Sequence, residues 1–522
     1  MNEPLPELPP VTALGPARVT AGLAGAPGGA LPVAPGGAFT GAERLDHRAH
    51  LAVHGTLPRL TESQLTLLAQ TIALRGRGGA GFPFARKLRA VGDAARRRGM
   101  RPAVVVNGCE GEPACRKDTV LLARAPHLAL DGALLAAGAL GARTVVVAVT
   151  RARTESSVRA ALAERGLSDR RGRAVRARVV RLPERLVSGE SAAVLRAAGG
   201  GPARPPGRHA RASEVGLAGA PTLLSNAETY AQLALAARLG APGYAATGTG
   251  REPGTLLLTV SGAAPAPWVV EAPVGMPLPE VLRRCGVPGP VQGVLVGGYH
   301  GAWLDAATAA TAVLDREALA ARGCTLGAGA LLPLPADSCP LGETVRVAHW
   351  LAGESAGQCG PCRLGLPALA GALAELTGGG GAAALDTLWQ AAGAVRGRGA
   401  CAHPDGASRL VLSALDAFPD DLAAHLGGTG CGRPTAGVLP LPATGTRPDG
   451  TDGAEERLTV DWTLCEGHGL CAGLLPELVR MDTDGYPTPA AAAVPRRLRG
   501  RAQRAVSRCP ALALRLERAQ IR

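Results

Sequence analysis

Val104-Val105-Val106-Asn107-Gly108-Cys109-Glu110-Gly111-Glu112-Pro113-Ala114-Cys115-Arg116-Lys117-Asp118 decides how this chain is read. A β-branched run opens it, and polar residues and glycines end that run. An apolar helix-like segment follows from His127 to Gly141, then a second β-branched run from Thr144 to Val149. Strand, motif, helix, strand is the order of an open α/β sheet. Ligands of such sheets sit beyond the carboxyl ends of the strands, where this motif falls. Upstream lies Arg75-Gly76-Arg77-Gly78-Gly79-Ala80-Gly81-Phe82-Pro83-Phe84-Ala85-Arg86-Lys87. Glycines let a backbone approach a ligand closely, its N–H groups form an anion cradle, and cations complete it. Of the 56 basic residues only Lys87 and Lys117 are lysines, and both lie in these motifs. A compact ammonium is not interchangeable with a planar guanidinium. From the glycines alone, a phosphate loop and a basic surface loop are both open.

Composition bounds the rest. A chain of 522 residues predicts three or four domains. With 2% aromatic residues, its cores must be built from Ala, Leu and Val. The net charge is +14, but the arginines are scattered and no aromatics interleave with them, which argues against nucleic acid. Runs such as Arg170 to Arg181 fit a solvated face or an acidic partner. Residues 1–50 are rich in Pro, Gly and Ala, without a basic segment followed by an apolar core, and read as a mobile extension rather than a signal peptide. No uncharged apolar run reaches ~18 residues, so no membrane span is expected. The expected compartment is the cytoplasm, where clustered cysteines are metal ligands more often than disulfides.

The pattern divides the chain. Residues 51–250 alternate helix-like and strand-like runs, which predicts an α/β domain. Residues 251–335 read as short strands around one short helix. Residues 336–430 are helical and fit a four-helix bundle. Residues 431–456 read as a linker, and 457–522 as a separate module.

Three cysteines of that last module stand in Cys465-Glu-Gly-His468-Gly-Leu-Cys471 followed by Cys509-Pro510. The bacterial ferredoxin spacing is C-x2-C-x2-C with a distant C-P, and here the middle cysteine is His468. The module resembles small single-cluster ferredoxins. Three thiolates favour a [3Fe–4S] cluster, and a [4Fe–4S] cluster with His468 on the fourth iron is the alternative. Cys115, Cys285, Cys324, Cys339 and Cys431 lack ligand spacing and read as core or loop residues.

The two glycine-containing motifs together resemble the flavin- and NADH-binding iron–sulfur subunit of respiratory complex I and its soluble relatives. The resemblance continues through Gly189-Glu190-Ser191-Ala192, Arg204-Pro205-Pro206, Pro221 to Thr229, Glu354 to Arg363 and Cys401, from about residue 50 to about 430. It implies an FMN-binding α/β domain, a small β-grasp-like α+β domain, a helical iron–sulfur bundle and a fused ferredoxin-like α+β domain. It implies FMN across Gly76, Arg77, Gly78, Gly79, Gly81 and Phe82, with its phosphate near Arg77 and Lys87. Asn107, Cys109, Glu110, Gly189, Glu190, Ser225 and Asn226 match positions that contact flavin or nicotinamide, with Glu110 and Glu190 as the catalytic candidates. Cys109 replaces the family's aspartate. At the bundle, Cys359, Cys362 and Cys401 remain as ligands of a possible second, [4Fe–4S]-type cluster, while Ala356 stands at the fourth ligand position. The nucleotide pocket keeps Phe82, but Ala90 and Gly207 replace two stacking aromatics and Ser191 replaces an acid.

The function expected is electron transfer from NAD(P)H or another hydride donor through FMN to iron–sulfur clusters, including the fused ferredoxin. A redox-protein acceptor is expected, and a thioredoxin-like [2Fe–2S] subunit could join. The alternative is a non-catalytic electron-transfer or assembly subunit with a degenerate NADH site and a working ferredoxin.

Overall fold

A computed structural model describes residues 8–21, 44–165, 167, 175–206, 211–442, 456–488, 491–495 and 498–518. The chain is a mixed α/β protein in two compact units, residues 1–441 and 442–522.

The first unit begins on a four-stranded, fully parallel sheet in the order Arg176–Arg181, Thr144–Val149, Ala103–Gly108, Thr222–Asn226. The Val-rich strands at its centre are buried on both faces, as parallel strands must be. Helices Pro126–Leu140 and Ala227–Ala245 pack together over one face. Their core is Leu, Val and Ala, with Phe84 and Tyr230 edge to face at its heart.

A mixed six-stranded sheet follows, in the order Val11–Ala13, Trp268–Pro273, Thr255–Val260, Ala330–Pro335, Val291–Val296, Ala302–Asp305. Its first strand comes from the segment expected to be a mobile extension. Val11–Ala13 pairs in parallel with Val269–Glu271. Beyond it, the buried Glu271 carboxylate accepts hydrogen bonds from the backbone N–H groups of Arg18, Val19 and Thr20 at 2.9–3.0 Å and from the Thr20 hydroxyl at 2.7 Å. This N-terminal segment is thus ordered because its backbone N–H groups satisfy a buried carboxylate, which composition does not reveal. The end of that extension is ordered as well, since helix His47–His54 starts within it and His50 is buried; residues 1–7 and 22–43 lie outside the described residues.

Helices Pro340–Gly353, Leu366–Thr377, Gly381–Val395, His403–Ala417 and Pro419–Leu426 complete the unit around a Leu/Ala core. Part of the expected linker belongs here too. Glu343 accepts from the N–H groups of Gly437 (2.6 Å) and Leu439 (3.1 Å), and Leu439 is fully buried. Residues 443–455 lie outside the described residues.

The second unit is a three-stranded antiparallel sheet, Ala491–Val494, Glu456–Val460, Leu514–Arg518, with helices Leu470–Leu474 and Arg499–Arg508 and a short ribbon, Arg480–Met481 with Pro487–Thr488. Leu458, Leu475, Val479, Ala502 and Leu514 fill its core. Among the described residues no single helix is long and apolar enough to cross a membrane.

Replacing Glu271 strips the acceptor from several buried donors at once. Glu271→Ala is expected to destabilise the first unit by about 3 kcal/mol, read as a lower melting temperature in a thermal scan.

Candidate functional site at the strand carboxyl ends

The chain leaves Ala103–Gly108 toward Thr144–Val149 on one side and returns on the other as Thr222–Asn226. The carboxyl ends of these two strands therefore flank the topological switch point, where a crevice opens in such sheets. Asn107 and Asn226 are register partners across it.

Asn226 connects three elements. Its Nδ2 donates to Asp118 Oδ2 at 2.6 Å and to the Asn107 carbonyl at 3.3 Å. Its Oδ1 caps helix Ala227–Ala245 through Glu228 N–H at 3.0 Å and accepts from Lys117 Nζ at 3.3 Å. Lys117 is buried and bridges Asp118 and Glu228, each at 3.0 Å. Burial opposes its charge, but these carboxylates and Glu110 outweigh that and push its pKa up. Lys117 therefore stays an ammonium whose charge is balanced inside the protein.

Lys87 is the opposite case. It projects from helix Phe84–Arg98, and its Nζ donates to the Leu224 carbonyl at 2.9 Å. Burial pulls its pKa down, and among the described residues no carboxylate pairs with it. Next to it the glycine loop closes on itself, with Arg75 and Pro83 bridged and Gly76 N–H donating to Phe82 O at 3.0 Å. Gly78 passes directly over Asn226, where a Cβ would lie 3.1 Å from the Asn226 Cβ. Gly79 and Gly81 hold φ of +109° and +59°, conformations that suit glycine. Phe82 is 48% exposed at the tip.

Arg77 is not where the sequence suggested. Its guanidinium turns inward to Glu252, 2.8 Å away, and its N–H donates to the Thr229 hydroxyl at 2.9 Å. Glu252 also takes Arg316 Nε at 2.9 Å, while Arg316 donates to the Gly76 carbonyl at 3.0 Å. Arg77 thus anchors the loop rather than facing a phosphate, because a buried carboxylate claims it. Arg316 and Glu252 carry no local sequence signal, since they lie far along the chain.

Both expected catalytic carboxylates are helix caps. The buried Glu110 accepts from the N–H groups of Asp118 (2.9 Å) and Thr119 (2.7 Å), so both oxygens are committed to the helix Lys117–Arg124. Glu190 caps Ser191–Ala198 through Oε2, which takes Ala192 N–H at 2.8 Å and Ala193 N–H at 3.1 Å. Asn107 Nδ2 donates to Gly189 O at 2.8 Å, and Gly189 lies against Cys109, where an added Cβ would stand 3.7 Å from the Cys109 Cβ. Burial, together with Asp118 and Glu110, pushes the Cys109 thiol far up, so it stays neutral. Ser225 is buried at the strand end.

The segment carrying Gly189 and Glu190 also touches the helical cysteine site. Leu186 N–H donates to Glu354 at 2.9 Å, and Arg185 to the Gly353 carbonyl at 2.9 Å. Cys362 lies beside Cys359 and Cys401, and burial with these neighbours raises its thiol to about 12. Burial raises Cys401 too, and Glu190 is among the charges it feels. His403 is engaged by His300 and the Leu351 carbonyl, each at 2.9 Å. In the second unit, Cys471 lies beside Cys465 and Cys509, and burial raises its thiol. The half-exposed His468 side chain stands on the loop between the first two, 3.8 Å from Glu466. A cavity of about 630 Å³ lined by Arg101, Arg143 and Arg176 opens at the amino ends of the parallel strands, the wrong end for this site.

Three family profiles match the chain: the Nuo51 FMN-binding domain over residues 69–235, the NADH-ubiquinone oxidoreductase-F iron-sulfur binding region over 343–425, and a 4Fe-4S single cluster domain over 458–516. The F subunit of Streptomyces coelicolor NADH-quinone oxidoreductase is 30% identical over 408 residues, 74% of this chain and 88% of the relative. The chain belongs to the family of NADH-quinone oxidoreductase F subunits. An F subunit of Rhizobium meliloti NADH-quinone oxidoreductase is 29% identical over 390 residues, 72% of this chain and 91% of the relative. An NAD+-reducing [NiFe]-hydrogenase structure in the H2-reduced state matches with a TM-score of 0.63 and 28% identity, over 70% of this chain and 63% of that one. The single-cluster domain of this chain follows the FMN-binding and iron-sulfur regions as a separate match.

Glu112 supplies a pH test of the site's packing. It is buried, accepts Tyr299 N–H at 2.9 Å, and burial raises its pKa from 4.5 to about 7. A carboxyl with a raised folded pKa binds more protons when folded, so it costs stability as pH rises from 4.5 toward 7. Glu112→Gln keeps an acceptor for Tyr299 and removes that cost. It is expected to raise the melting temperature at pH 8, with the gain shrinking toward pH 5.

Proposed function

We propose that this chain is a flavin-dependent oxidoreductase that passes electrons from NAD(P)H, or another hydride donor, through FMN to iron–sulfur clusters. The observation that carries the flavin site is the pairing of a close-approach glycine loop with Lys87. A cation with no carboxylate partner among the described residues, beside backbone where a Cβ would crowd Asn226 at 3.1 Å, fits a phosphate and the edge of a flat ring. FMN supplies, when bound, acceptance of a hydride pair and release of its electrons singly. The chain's own residues position it. Gly76, Gly78, Gly79 and Gly81 offer backbone, Lys87 a charge, and Asn107, Asn226 and Ser225 line the crevice. Cys109 and Gly189 form its floor. Glu190 caps the helix Ser191–Ala198 and its charge is felt at Cys401, and Phe82 is exposed for stacking a nucleotide base. Ala90 and Ser191 leave the rest of that pocket thin; Gly207 lies outside the described residues.

The finer architecture we read is a β-grasp-like domain in the six-stranded sheet region, a bundle of four long helices to which the shorter Pro419–Leu426 is added, and a ferredoxin-like second unit. Cys359, Cys362 and Cys401 would hold one cluster with Ala356 leaving a ligand place open. Cys465, Cys471 and Cys509 would hold another, as [3Fe–4S], or as [4Fe–4S] with His468, the nuclearity that the matched single-cluster description carries. The cytoplasm is the compartment we propose, and a redox protein, including a thioredoxin-like [2Fe–2S] subunit, the partner class. Ala356 and the thin nucleotide pocket favour the second reading, a non-catalytic electron-transfer or assembly subunit with a degenerate NADH site and a working ferredoxin.

An anaerobic titration with NADH, with flavin and iron assayed alongside, separates these readings. Bleaching of the oxidised-flavin band supports the first; flavin and iron present with a spectrum unchanged by NADH show that the thin pocket does not serve NADH, and a spectrum unchanged by NADPH as well favours the second. In a mediator-equilibrated redox titration Cys109→Asp is expected to lower the flavin midpoint potential by on the order of tens of mV, because a carboxylate replaces a neutral thiol and disfavours the reduced, anionic ring.

A further inference from the structure

One cluster of ligand side chains lies outside the site described. Cys339 caps helix Pro340–Gly353, and its Sγ accepts from Gly342 N–H at 3.2 Å. His425, in the last turn of Pro419–Leu426, places Nε2 3.4 Å from that sulfur. Cys431 follows five residues after that helix ends, and its thiol interacts with that of Cys339. The three donor atoms lie within 4.8 Å of one another. Cys339 and His425 are buried and Cys431 is half-buried. His425 Nδ1 faces the Thr377 carbonyl at 3.0 Å. A carbonyl only accepts, so Nδ1 carries the proton and the Nε2 lone pair points at the sulfurs.

We propose that Cys339, His425 and Cys431 bind one zinc ion as a structural tie. Two thiolates and an imidazole are zinc's preferred donors, and the carbonyl-fixed tautomer is the arrangement found around ligating histidines. The two thiolates balance the ion's charge, and binding releases their two protons. A water completes the tetrahedron. Asp421 stands close by, but its carboxylate is already paired with Arg433. A Cys339–Cys431 disulfide would instead leave the buried Nε2 without a partner, at the usual cost of an unsatisfied polar atom.

The tie has a clear mechanical role. Its ligands come from the start of the first helix of the helical region, the end of its last helix, and the segment that leaves it. Backbone already follows the same line, with Cys339 N–H donating to Pro434 O at 2.8 Å. The metal would pin Cys431 to Leu439 against the helices and fix where the tether to the second unit begins.

The test is metal analysis and zinc-edge X-ray absorption on the full-length protein, grown with zinc and purified without chelator. The expected result is one zinc per chain with a shell of two sulfurs and two nitrogen or oxygen atoms. Cys431→Ser and His425→Gln should each lose the zinc while keeping flavin and iron. Cys285→Ser, at a buried thiol elsewhere, should keep it and controls for folding. No zinc in the parent protein overturns the proposal. So does zinc retained in both ligand variants, a three-sulfur shell that marks occupation of a cluster site, or a Cys339–Cys431 disulfide found by mass spectrometry.

Discussion

The buried ammonium of Lys117 is the interaction on which this structure depends. It lies 3.0 Å from both Asp118 and Glu228 and reaches Asn226 as well. A charge removed from water costs several kcal/mol unless its partners are nearly ideal, so the three groups must be held in one arrangement. That arrangement joins the helix after one strand to the helix after its neighbour. It fixes the two strand ends that form the crevice, and through Asn226 it fixes the surface under the glycine loop. A second buried pair, Arg77 with Glu252, fastens that loop from the other side.

These pairs divide the site's cations by role. Lys117 and Arg77 have their charges balanced within the protein and act on geometry. Lys87, by contrast, has no carboxylate partner among the described residues, and burial works against its charge. Glu110 and Glu190 are likewise spent on helix ends, one with both oxygens and one through a single oxygen. The carboxylates of this site build the cradle, and the redox chemistry of this class of protein belongs to its cofactors.

The sequence made the parallel sheet legible, because Val104–Val106 and Thr144–Val149 are continuous β-branched runs with a motif at the strand end. It also made the lysines stand out against a background of arginine. It did not show where those cations point. Arg77 sits among glycines like a phosphate ligand, and only the distant Glu252 reveals that it faces inward. The ordering of Val11–Ala13 was hidden for the same reason, since its partners Val269–Glu271 lie more than two hundred residues away. Cys339 and Cys431 showed no motif because their shared neighbour, His425, is set by helix packing rather than by spacing. The cysteines at 465, 471 and 509 were readable because a short loop and a following proline carry their pattern.

The most direct test compares FMN with riboflavin binding to the flavin-free protein and to Lys87→Met by calorimetry. The account predicts that Lys87→Met weakens FMN at least tenfold, about 1.4 kcal/mol, and leaves riboflavin unchanged, because the lysine addresses only the phosphate. Equal losses for both ligands, or no loss for either, would contradict it.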